Sequence, residues 1–125
     1  MKRKIMAVTL TAAMLAGLAA VPVWADDTGS DEGKVLNIYC WNEEFKSRLT
    51  DHYPGYEEVD GTHGKIGDVD VVWNITPSDD NAYQNNLDET LLKQADASAD
   101  DKIDLFLVEA DYALKYVNTD YTMPV

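Results

Sequence analysis

Ile103-Asp104-Leu105-Phe106-Leu107-Val108-Glu109-Ala110-Asp111-Tyr112-Ala113-Leu114-Lys115-Tyr116 is the stretch whose reading decides the fold. It opens as an almost continuous apolar run, too short for a useful helix. Branched and aromatic residues in such a run predict a strand buried on both faces, as in a parallel sheet. The pattern then turns polar at Glu109 and Asp111 and becomes helical. A buried strand that delivers two carboxylates to the start of the next helix matches the place where open α/β folds hold their ligands.

Two earlier stretches repeat this pattern. Val35 to Trp41 reads as a first strand, followed by Asn42 as a helix N-cap. Glu43 and Glu44 fall in the first turn, where acids suit the helix dipole. Phe45, Leu49 and Tyr53 then share one helix face, and Pro54-Gly55 ends it. Val69 to Ile75 reads as a second strand. Thr76-Pro77-Ser78-Asp79-Asp80 starts a second helix, with Ser78 or Asp79 as cap and Tyr83, Leu87 and Leu91 as its apolar face. Between these units, 56–68 reads as a surface loop with room for a short ribbon. The third helix is expected from Asp111 to Asn118, with Leu114 and Val117 facing inward.

Strand, helix, strand, helix, strand, helix predicts an α/β fold. Its core is a three-stranded parallel sheet, order 2-1-3, with flanking helices and right-handed crossovers. The chain changes direction across the sheet between strands one and three. That leaves a crevice at their carboxyl ends, lined by Trp41, Asn42, Glu43, Glu44, Glu109 and Asp111.

The 125 residues, 46% hydrophobic and 26% charged, suit one globular unit. Residues 1–25 read as a secretory signal peptide. Lys2, Arg3 and Lys4 precede the apolar stretch Ile5 to Ala20, and Val23-Trp24-Ala25 is a small-x-small cleavage signal. Removing that segment leaves seven bases against 23 acids, a balance of −16. Such acidity disfavours nucleic acid and anionic lipid, whose phosphates need a positive surface. Residues 26–34 lack apolar side chains and read as a disordered acidic tether. With Cys40 the single cysteine, no disulfide framework exists and stability must come from the core.

Several chemistries fail on spacing. A dinucleotide site needs Gly-x-Gly-x-x-Gly after the first strand; Trp41-Asn42-Glu43-Glu44 stands there, and its acids repel a pyrophosphate. Asp96-x-Ser98-x-Asp100 puts Asp101 where a calcium loop needs Gly and Leu107 where it needs Glu. Cys40, His52 and His63 match no zinc spacing, so neither metal nor cofactor is expected. Asn74-Ile75-Thr76 is a glycosylation sequon in form only.

Glu109 and Asp111 admit three roles: acid and nucleophile of a secreted carbohydrate-active enzyme, a solvated strand end and a helix cap, or acceptors for ligand hydroxyls. Trp41 offers either core packing or a flat apolar face to a sugar ring, with Asn42 and Glu43 beside it. Trp73 and Tyr83 read as packing residues.

The leader, the acidic tether and Val35-Leu36-Asn37-Ile38-Tyr39-Cys40-Trp41-Asn42-Glu43-Glu44-Phe45 resemble the start of a bacterial extracellular solute-binding protein of an ABC importer. Ile75 to Gln84 and Ile103 to Tyr112 are similar to the second and third strand-helix units of its carbohydrate-binding members. The resemblance implies a two-lobe periplasmic-binding-protein-like fold, of which 35–125 form part of the first lobe, and a monomer that is not an enzyme. It implies an oligosaccharide solute, ABC permease subunits in the membrane as partners, and Trp41, Asn42, Glu43, Glu109 and Asp111 as ligand contacts. Members of this family run to several hundred residues, so the chain is expected to be a partial product. The lipid-anchored cysteine that follows the signal in some members is replaced by Asp26, so a periplasmic or released protein is expected.

Overall fold

The computed structural model describes residues 33–123. The leader and residues 26–32 of the tether lie outside them. The tether's last two residues, Gly33 and Lys34, are held: the Lys34 N–H donates to Asp100 Oδ1 at 2.6 Å, and Asp70 N–H donates to the Lys34 carbonyl at 2.8 Å.

The architecture is α/β, with helices on both faces of a five-stranded mixed sheet. Strand β1 (Val35–Cys40) is central, flanked in parallel by β4 (Val69–Ile75) and β5 (Leu105–Phe106). These are the three strands expected from sequence, in the expected order. The sheet is wider than expected because β2 (Tyr56–Glu58) and β3 (His63–Ile66) form an antiparallel hairpin that continues it beyond β4. The hairpin hides in a polar stretch because one face is solvated and its turn uses Asp60. Asp60 Oδ1 accepts the N–H groups of Thr62 and His63, each at 2.8 Å, in a side-chain-closed turn.

Alternation along β1 sorts the core. Ile38 and Cys40 are fully buried with Val71 and Trp73, under Phe45 and Leu49 of α1 (Glu44–His52). Tyr39 and Trp41 face the other side. There Tyr83, Leu87 and Leu91 of α2 (Ala82–Leu91) pack with Ile103 and with Tyr116 of α3 (Leu114–Val117). Full burial of a side chain such as Leu87 contributes about 1.5–3 kcal/mol.

The opening stretch behaves differently from its reading. It is not buried on both faces, since Leu105 is 36% exposed, and its regular pairing, with β1 alone, lasts two residues. Order 2-1-3 itself puts this strand at the edge. The third helix starts at Leu114, not Asp111, because 110–113 form a turn with Tyr112 N–H bonded to the Glu109 carbonyl at 3.2 Å. The turn rotates the helix. Leu114 (77% exposed) and Val117 (51%) point outward, and Tyr116 points in. Tyr53 is likewise exposed, since α1 stops at His52 and Tyr53 is extended.

Candidate site at the strand ends

Three segments leave the carboxyl ends of the parallel strands. Asn42 follows β1 and bonds the Glu44 N–H through Oδ1 at 3.0 Å, satisfying one free donor of α1 from one position earlier than a regular cap. Glu43 holds the N-cap position without a side-chain bond. After β4, a tight turn at Asp79–Asn81 puts Asp80 at φ 52° and Asn81 at φ 60° before α2 begins. Asp and Asn tolerate this left-handed backbone better than most residues. Neither Ser78 nor Asp79 caps α2 through its side chain. After β5, Leu107 to Tyr112 cross the rim.

Two hollows open there. One, of about 190 Å³, is lined by Trp41, Asn42, Glu44, Phe45, Arg48 and Leu107. The other, of about 150 Å³, is lined by Ser78, Asn81, Tyr83, Gln84, Glu109, Asp111 and Tyr112. Trp41 and Tyr83 meet edge to face at 5.4 Å, so they form the wall between the hollows. A larger hollow of about 370 Å³ lies along α1 against Phe45 and Tyr53, away from the strand ends.

Trp41 and Asn42 therefore line one hollow and Glu109 and Asp111 the other. Glu43 is exposed and lines neither. Asp111 does not cap α3, whose N-cap position is Ala113. Glu109 and Asp111 are both exposed.

Tyr83 joins the two halves. Its hydroxyl donates to the Leu107 carbonyl at 2.6 Å and lies 3.1 Å from the Tyr39 carbonyl. Leu107 N–H returns to the Tyr39 carbonyl at 3.0 Å. One hydroxyl thus holds the ends of β1 and β5 together at the change of direction. Burial drives its pKa far up, with Tyr112 and Cys40 adding to the effect, so the proton that makes this bond stays on. Burial also raises Tyr112, against an opposing bond from the Glu109 backbone.

The packing role read for Tyr83 holds, but the reading missed its hydroxyl. A tyrosine rather than a phenylalanine within an apolar helix face is the signal, because a buried hydroxyl needs a partner. Ser78, Asn81 and Gln84 were also missed as lining residues. Asn81 owes its place to the left-handed turn, which no periodicity reveals.

Among the described residues no group of three or more His, Cys, Asp or Glu side chains is arranged to hold a metal ion. Cys40 is buried, while His52 and His63 are exposed. No helix among the described residues is long and apolar enough to cross a membrane. Comparisons with protein-family models, with curated proteins and with solved structures give no match to this chain.

Proposed function

We propose that this chain is part of the first lobe of an exported solute-binding protein that supplies an ABC permease, with an oligosaccharide as solute. The observation that carries the reading is the rim at the change of strand direction. There an indole, an amide and two carboxylates surround adjoining hollows separated by aromatic rings. Aromatic faces suit the apolar side of a pyranose ring, and amides and carboxylates suit its hydroxyls. The basic-then-apolar start of the chain and its acidity are consistent with export.

In this reading the protein is a carrier, not a catalyst. Trp41 stacks on the sugar, and Asn42, Glu109 and Asp111 take hydroxyls. Glu43 reaches the solute only from outside the two hollows. A second lobe closes over this one, so a lone lobe binds weakly, with Kd on the order of millimolar. Calorimetry against a panel of neutral oligosaccharides is the test, on this chain and on the product of the whole reading frame. Heat with one sugar class, weakened about tenfold by Trp41→Ala, supports the proposal. Silence across the panel in both proteins removes it. Reducing ends released from a glycan, and lost in Glu109→Gln, would instead make the protein a glycoside hydrolase.

A further inference from the structure

The two edges of the sheet are finished differently. At the β2 edge, Glu57 and Glu58 are exposed, a charged finish that discourages further pairing. At the β5 edge stand Leu105 and Phe106, with no strand beyond them among the described residues. Beside them lies a hollow of about 330 Å³, lined by Leu105, Phe106, Val117, Tyr121 and Met123, with Asp104 at its margin. Val117 is 51% exposed, Tyr121 44% and Met123 83%. A contiguous apolar surface of this kind on so acidic a chain marks an interaction site.

We infer that the occupant of this hollow is the chain's own N-terminal segment, residues 1–25, for as long as it remains attached. Two observations point to it. The first is the route. Gly33 lies against Ala99 and Asp100, and Lys34 N–H is bonded to Asp100, so the first described residues sit on the β5 side of β1. Residues 26–32 reach up to ~23 Å when extended, at roughly 3.3 Å each.

The second is complementarity. Residues 33–123 carry seven bases and 19 acids, while the segment starts with Lys2, Arg3 and Lys4 and continues with Ile5, Val8 and Leu10. Apolar side chains fill the hollow, and the basic end meets Asp104 and the acidic surface around it. A second copy of the chain brings the same acidic surface and is repelled. The inference does not depend on the solute-binding reading, and no sugar enters its test.

The experiment uses the full 125-residue chain with p-benzoylphenylalanine in place of Tyr121. Irradiation is expected to yield a species of monomer mass whose cross-linked peptide maps within residues 1–25. Cross-links that join two chains, or that avoid residues 1–25, overturn the inference. A second measurement leaves the hollow untouched. The triple reversal Lys2→Glu, Arg3→Glu and Lys4→Glu is compared with the unaltered chain by hydrogen exchange. The amides of Leu105 to Val108 are expected to exchange about tenfold faster in the reversal variant, with the far-ultraviolet circular dichroism unchanged. Equal rates overturn the inference.

Discussion

The two faces of the sheet are built from similar apolar side chains but spend their polar groups differently. On the α1 face, Ile38, Cys40, Val71 and Trp73 form the centre. Its polar ties run sideways to the hairpin. Trp73 Nε1–H donates to the Tyr56 hydroxyl at 3.0 Å, and Lys46 Nζ donates to the Gly61 carbonyl at 2.6 Å and to Glu58 at 3.2 Å. On the α2 face, core tyrosines carry two of the polar ties, beside the paired bonds of Gln94 to the Ile103 backbone. The Tyr83 hydroxyl reaches the strand ends, and the Tyr116 hydroxyl donates to Asp88 at 2.8 Å, joining α3 to α2. One face fastens an appended hairpin. The other ties the strand ends that form the rim. The lesson is that a buried tyrosine in such a fold deserves to be read by where its hydroxyl ends.

The sharpest way to break this comparison is Leu87→Ala. Leu87 is fully buried on the α2 face, and the change is expected to cost about 3 kcal/mol in urea unfolding. If the two faces share one cooperative core, exchange rises in β1 and β4 as well as in α2. If only α2 and α3 loosen, the faces are separate units and the comparison must be redrawn.

Gly64→Ala tests the other face. A methyl group there would run into the Tyr56 ring, which holds the Trp73 indole bond. Overpacking of this kind is expected to cost about 2 kcal/mol, with the hairpin amides of β2 and β3 losing protection first. An unchanged unfolding midpoint would show that the hairpin is not fastened through Tyr56.

Tyr83→Phe sharpens the contrast at the rim. It removes one hydroxyl and leaves the Leu107 carbonyl without that partner, at an expected cost of about 1 kcal/mol. Faster exchange should be confined to 107–112. A uniform loss of protection would mean that Tyr83 supports the whole core rather than the rim.

The smallest effect concerns the hairpin turn. The Thr62 N–H, then His63, lowers the Asp60 pKa from an ordinary 3.8 to about 2. A carboxylate lowered on folding stabilises the turn above its ordinary value, and that support is lost as pH falls toward about 2. Nuclear magnetic resonance titration of Asp60 should show this low midpoint. His63→Ala should raise it only part of the way, because the backbone donor is the larger cause. A midpoint at the ordinary value would remove the turn's role.

The parallel centre was legible because buried strands advertise themselves as apolar runs, and Tyr83, Leu87 and Leu91 keep helical spacing without interruption. The hairpin was legible only as room for a short ribbon within a loop, because Asp60 closes its turn through a side chain and Glu57, Glu58 and Lys65 mask the strands. Periodicity also misled at α3. Leu114 and Val117 have the right spacing to face inward, yet the turn over 110–113 swings Tyr116 to that side. The place of Trp41, Asn42, Glu109 and Asp111 along the rim hollows was legible because they follow strand ends. Asn81 and Gln84 were not, since their place depends on two consecutive left-handed residues.

Cys40 lies fully buried in the central strand, and burial raises its pKa. A thiol-reactive dye therefore meets it only when β1 comes apart, because only the exposed thiolate reacts. The chain thus carries its own clock for global opening: labelling rate against denaturant reads the unfolding equilibrium at one atom, with no engineered probe.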